Sequence, residues 1–272
     1  MQWWCAAQGV PWSWTWRPYP GVWLFIALLA LGYWVLLRRA GPPPADPERL
    51  SRRGRKASFV AGVLLLWIAL DWPVGALGSG YLASLHMVQF VLISLAAPPL
   101  LLYGIPPEAL RGLEKRTIPA IVWRVLTHPV VAIAIYNATV VATHWPALVD
   151  TAMPSQLGSL AIDLAWWSAG LIYWWPVVVP VPERRFPYPA KIGYLILNTV
   201  LNTAPYAFLV FGELPFYATY ELAPPIGSIS VREDQEIAGL IMKLGGGAVF
   251  WTAIGTLFLR WYRAEGRPAT AG

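Results

Sequence analysis

One cysteine, three histidines and a charged fraction of only 12% are what this sequence of 272 residues has least of. With Cys5 alone there is no intrachain disulfide, and no CxxC motif supports thiol-based copper or redox chemistry. The histidines, His86, His128 and His144, are too few for a closed tetrahedral site of imidazoles. No nucleotide fingerprint, nucleophile–base pair or cofactor motif stands out, which argues against an enzyme. Segments of strict in/out alternation are also missing, so a transmembrane β-barrel is not expected. The N-terminal stretch MQWWCAAQGVPWSWTWRPYP lacks the basic n-region and small-residue cleavage site of a signal peptide. It reads as retained, with its tryptophans as an interfacial anchor.

What is abundant is apolar surface: 57% of residues are hydrophobic, far from the balance of a soluble domain. A helix needs ~20 residues to cross a hydrocarbon core. Runs of that order lie near 21–37, 57–77, 81–103, 129–148, 157–178, 190–212 and 235–261. The expected fold is therefore all-α, a single polytopic membrane domain of seven transmembrane helices over residues 1–272. Seventeen of the twenty Lys and Arg residues fall in alternate loops and the C-terminal tail, whereas Arg17 and Arg232 stand on the other side. The positive-inside rule then puts the C-terminus in the cytoplasm and the N-terminus outside. The net charge of +6 is thus topological and gives no warrant for nucleic-acid binding. The expected location is a membrane crossed several times, with the lipid bilayer as first partner.

The loops add no second domain. GPPPADPERLSRRGRK is a Pro-rich basic linker, and residues 107–126 mix basic and apolar positions as an interfacial helix does. The segment 213–234, with Glu213, Glu221, Glu233 and Asp234, is long enough to be a docking or lid segment.

Ionisable residues inside apolar runs carry the most functional information, because lipid makes them costly and they face the bundle interior. Asp71, His86, His144, Asp163 and Lys243 come from five runs. At ~1.5 Å per residue each lies roughly 6–12 Å from the outer end of its helix. Two readings of this layer compete. In one, His86 and His144 bind copper or another transition metal, helped by Asp71, Asp163, Met87 or Met153. In the other, Asp163 or Asp71 pairs with Lys243. The bare residues favour the pair, since two imidazoles are few and a nearby ammonium opposes a cation. His128, before Pro129, is expected to cap or anchor its helix. Asp234 and Gln235 open the last run, where a carboxylate suits the helix dipole and either holds the outer loop or serves as a simple N-cap. Gln89, on the run of His86, is a further candidate. Pro98 and Pro99 should kink their helix for packing.

Four blocks carry a resemblance: SLHMVQFVLISLAAPPLLLYGIP at 84–106, HWPALVD at 144–150, AGLIYWWPVV at 169–178 and EDQEIAGLIM at 233–242. In order, spacing and topology they resemble the CtaG family of cytochrome c oxidase assembly factors over about residues 10–265. The resemblance implies copper delivery to, or maturation of, a haem-copper terminal oxidase on the outer face, with oxidase subunits as partners and copper as the metal handled. His86, His144 and Asp163 are then the leading site. Asp71, Gln89, Asp234, Gln235 and Lys243 come second. The chain departs from the family pattern where HMVQH becomes HMVQF, at Phe90. It departs again where a histidine pair becomes Ser159 and Asp163, and where Lys243 replaces an apolar or aromatic residue. These losses support an alternative: an accessory, non-catalytic subunit of a respiratory complex that keeps the scaffold without the metal. A proton pathway is disfavoured by the lack of ionisable residues in the inner halves of the helices.

Overall fold

The computed structural model describes residues 2–39, 52–106, 117–179 and 186–265, and every regular element among them is helical. In chain order these are α1 (Pro20–Arg39), α2 (Arg52–Leu70), α3 (Val74–Gly80), α4 (Ala83–Phe90), α5 (Ala97–Gly104), α6 (Thr117–Leu126) and α7 (Pro129–Thr143). There follow α8 (Pro146–Ala152), α9 (Gln156–Val178), α10 (Tyr188–Leu201), α11 (Thr203–Phe211), α12 (Ala218–Glu221), α13 (Val231–Leu240) and α14 (Gly246–Glu265). Two π-turns, Val91–Ala96 and Ile241–Gly245, join α4 to α5 and α13 to α14. The linker 40–51, residues 107–116, the loop 180–185 with Arg184 and Arg185, and Arg267 lie outside the described residues.

Among the described residues four helices are long and apolar enough to cross a membrane: Pro20–Arg38, Ala83–Gly104, Tyr188–Phe211 and Val231–Glu265. Two bent pairs raise the number to six. The expected run 57–77 is one of them: α2 ends at Leu70 and α3 leaves at 47°. Pro73 has no N–H to continue the ladder. The expected run 129–148 is the other, because α7 stops at Thr143 and Pro146 opens α8 at 70°. Of the seven expected runs, 157–178 corresponds to α9. At 23 residues it is long enough to span, but its serines, Asp163 and indole rings keep it out of the apolar set.

That polarity matches its place. α9 packs against α5, α7, α8 and the first π-turn, and Trp166, Tyr173 and Trp174 on it are fully buried. The outer faces of α1 and α2 instead leave Leu24, Leu28, Leu64 and Ile68 exposed, as helices in hydrocarbon do. Pro98 and Pro99 open α5 directly after the first π-turn, where their missing N–H groups interrupt the ladder. α9 comes closest at this point: a Cβ on Gly170 would collide with the Ser94 carbonyl. The second π-turn holds Lys243 and lies against the first, with Gly245 facing Val91 and Gly246 facing Leu95.

Candidate functional site

The candidate residues gather at the end of the bundle where α2 and α7 finish and α4, α9 and α13 begin. His86 sits in the first turn of α4 and is 4% exposed. Its ring lies 4.8 Å from Trp166 and 5.9 Å from Tyr220, centroid to centroid. Neither ring nitrogen has a hydrogen-bond partner. Gln89 stands one turn on, and its Oε1 is also without a partner. The Gln89 amide is held from below, where Nε2 donates to the Ala69 carbonyl at 3.0 Å. That carbonyl is freed by the end of α2. A Cβ on Gly78 would collide with Gln89 Oε1, so only glycine lets α3 approach here.

His144 stands at the C-terminal end of α7. Its Nδ1 lies 2.7 Å from the Val140 carbonyl. A carbonyl only accepts, so Nδ1 carries the proton and Nε2 of the neutral ring carries the lone pair. Nε2 is buried and has no hydrogen-bond partner. Trp166 stands beside both imidazoles: its ring is 6.0 Å from His144, and its Nε1 donates to Thr143 Oγ1 at 2.8 Å. Phe90 also packs here, 4.9 Å from His144 and 5.3 Å from Trp166.

The carboxylates do not join the imidazoles. Asp163 Oδ2 accepts from Trp4 Nε1 at 2.8 Å. Asp71 accepts from Trp67 Nε1 at 2.7 Å, from Trp23 Nε1 at 2.9 Å and from the Trp72 backbone at 2.8 Å. The expected pairing of either with Lys243 is not formed: the Lys243 ammonium lies over the Tyr206 ring, 4.6 Å from its centroid. Equal depth in two helices does not fix the direction each side chain takes, and here the directions differ. Among the described residues no three of His, Cys, Asp and Glu converge to hold a metal. Met87 and Met153 are both core residues. His128 occupies an N-cap position without a side-chain cap bond.

Asp234 and Gln235 hold other elements. Ser230 caps α13 in a capping box with Glu233, which frees Asp234 for a different helix. Its carboxylate accepts from the Ala83 amide at 2.6 Å, from the Ser84 amide at 3.3 Å and from Ser84 Oγ. It therefore caps α4 and fixes the turn that carries His86. Gln235 Oε1 accepts from the Phe216 amide at 2.8 Å, and its Nε2 donates to Leu214 O at 3.3 Å. The expectation that a carboxylate at this helix start holds the loop 213–234 is not met by Asp234, which is committed to α4; the neighbouring Gln235 makes the loop contacts.

That loop lies over the imidazoles. Tyr217 Oη donates to the His144 carbonyl at 3.0 Å and Tyr220 Oη to the Gly78 carbonyl at 2.8 Å. Burial raises both phenols above their ordinary range, with Asp150 adding a negative neighbour to Tyr217. Both stay donors. Asp150 pins α12 by accepting from the Thr219 amide and Oγ1 at 2.9 and 2.8 Å. Trp4, Trp166, Tyr217, Tyr220 and Asp150 were not among the residues singled out from sequence. The tyrosine-rich loop and the Asp150 of HWPALVD were the available signals.

The profile of the cytochrome c oxidase caa3 assembly factor family (Caa3_CtaG) matches residues 27–264. Similar sequences include an uncharacterized protein of Mycobacterium bovis and one of Mycobacterium tuberculosis. Each is 27% identical over 71% of this chain and 28% of the relative. An uncharacterized protein of Mycobacterium leprae is 26% identical over 91% of this chain and 40% of the relative. The chain thus spans less than half the length of these curated relatives. No solved structure matches.

Proposed function

Because the chain belongs to the family of cytochrome c oxidase caa3 assembly factors, we propose that it assists copper delivery to, or maturation of, a haem-copper terminal oxidase on the outer face of a bacterial plasma membrane. The observation that carries this reading is the imidazole pair: His86 Nδ1, His86 Nε2 and His144 Nε2 are buried without hydrogen-bond partners. Buried polar atoms are nearly always bonded, so each exception calls for an explanation. Imidazole nitrogen suits copper, and the bond from Nδ1 of His144 to Val140 O orients the free Nε2 lone pair, as a supporting shell does for a ligand. Copper here is cargo. His86 and His144 bind it, Trp166 and Phe90 exclude water beside them, and Tyr217 and Tyr220 hold the covering loop.

The topology in this reading has α9 as a seventh span, buried among the six apolar ones, and the basic loops in the cytoplasm. The imidazole pair then faces outward, where copper centres of terminal oxidases are completed. The partners are oxidase subunits and lipid.

A second reading, a non-catalytic accessory subunit, is favoured by Phe90. It fills the position one helical turn from His86 where a second imidazole would chelate, and both carboxylates are engaged by tryptophans. A complementation experiment separates the two. Cells lacking the protein receive wild type, His86→Ala or His144→Ala, and the copper content of the purified terminal oxidase is measured. Loss of oxidase copper with either variant at normal protein level supports assembly. Full oxidase copper with both supports the accessory subunit.

A further inference from the structure

A groove of ≈ 710 Å³ opens at the end of the bundle opposite the imidazoles, between α2, α5, α9, α10 and α14. Its walls include Leu100, Trp174, Val178, Val249 and Leu257, and Arg55, Lys191 and Arg260 line it too. Arg55 Nη1 donates to the Tyr103 carbonyl at 2.8 Å, and Lys191 Nζ to the Val177 carbonyl at 2.7 Å. These two side chains close the C-terminal ends of α5 and α9. Neutral carbonyls leave both formal charges uncancelled.

The cations are crowded. The Arg55 and Arg260 guanidinium groups both lie over the Tyr103 ring, 5.3 and 5.9 Å from its centroid. Lys191 and Arg260 are near enough to repel each other. None of the three pairs with a carboxylate among the described residues. Three converging cations without an anion, beside an apolar groove in a membrane protein, are the charge complement of a phospholipid of net negative charge. A zwitterionic headgroup brings its own cation into the same cluster. A soluble anion leaves the apolar walls without a ligand.

We propose that this groove binds one anionic phospholipid, with its phosphate among Arg55, Lys191 and Arg260 and an acyl chain along Trp174, Val249 and Leu257. The lipid ties α5, α9 and α14 together at the basic end. This site is independent of the imidazole pair.

The test titrates dioleoyl phosphatidylglycerol, dioleoyl phosphatidylcholine and inorganic phosphate onto delipidated full-length protein in nonionic detergent, and native mass spectrometry counts the bound molecules. Arg260→Gln is the variant to use, because Arg260 is exposed and closes no helix end. Ala253→Trp, on the groove wall, fills the space without touching a charge. The expected result is one phosphatidylglycerol bound roughly tenfold or more tightly than phosphatidylcholine. Arg260→Gln should weaken it about fivefold, the loss that corresponds to ~1 kcal/mol per basic residue at an anionic lipid, and Ala253→Trp should abolish the preference. Equal affinity for the two lipids, or a preference that neither variant changes, overturns the proposal. Inorganic phosphate binding as tightly as phosphatidylglycerol overturns it as well.

Discussion

Trp4 Nε1 donates a hydrogen bond to Asp163 Oδ2 at 2.8 Å and ties the N-terminal segment to α9 across 159 residues of sequence. Trp4 is 2% exposed, so this carboxylate has its donor inside the protein. Trp4→Phe leaves Asp163 buried without that donor and should destabilise the fold by about 1–3 kcal/mol, the range for a buried acceptor left unsatisfied. Thermal unfolding in detergent checks it. In a double-mutant cycle, Trp4→Phe and Asp163→Asn should be non-additive, whereas Asp163→Asn and Lys243→Met should simply add. Coupling in the second cycle would restore the Asp163–Lys243 pair that the structure lacks.

Asp234 works on a helix other than its own. Asp234→Ala removes the acceptor for the Ala83 and Ser84 amides and Ser84 Oγ, and should lower stability by about 2 kcal/mol. Glu233→Ala disturbs only the exposed capping box of α13 and should lower the melting temperature less. Melting temperatures of the two variants in one detergent give the comparison. Equal losses would mean that α4 does not depend on this cap.

Cys5 offers a pH test. Its Sγ donates to the Leu70 carbonyl at 3.3 Å, and burial, with Asp163 and Asp71 nearby, holds the thiol well above its ordinary value of 9.0. A raised pKa in the fold means that the neutral thiol stabilises it below the unfolded value and that this contribution is lost as pH rises beyond it. The melting temperature should fall above about pH 9, and Cys5→Ala should delay the onset of that fall. Maleimide labelling near pH 8 should be slow in the native protein and fast in denaturant. Native labelling at the rate of a free thiol would contradict the buried position.

The long helices were legible in the sequence because lipid leaves so few options: apolar runs of adequate length located them, while short helices such as α12 fell outside every run. That something at the start of α13 holds the loop was legible, but the helix dipole pointed to the carboxylate of Asp234, whereas the amide of Gln235, which can both accept and donate, makes the contacts. The bends after Leu70 and Thr143 were not legible, since Asp71 and His144 read as polar groups within continuing spans, while Pro73 and Pro146 just beyond them break the ladder. Lys243 was misassigned because depth along a helix carries no azimuth, and the π-turn around it shifts the face it presents. Trp4 was invisible for a different reason. An indole in an N-terminal segment reads as an interfacial anchor, as the exposed Trp14 and Trp16 still do, until folding places it against a carboxylate.

Phe90 marks the position at which chelation can be regained. It lies four residues after His86 in the same α-helix, and both rings contact Trp166, so position 90 shares the face of His86. Phe90→His should tighten copper(I) binding on the order of tenfold. A competition assay with a chromophoric chelator measures it, and unchanged affinity would show that the two positions cannot share one ion.

The most direct test is copper(I) binding to the purified, detergent-solubilised protein beside His86→Ala and His144→Ala, read by metal analysis after removal of free ion. The account predicts one copper retained by the wild type and lost by each variant, with each variant still unfolding in a single cooperative transition. No copper above background in the wild type, or retention by both variants, would contradict it and leave the accessory-subunit reading standing.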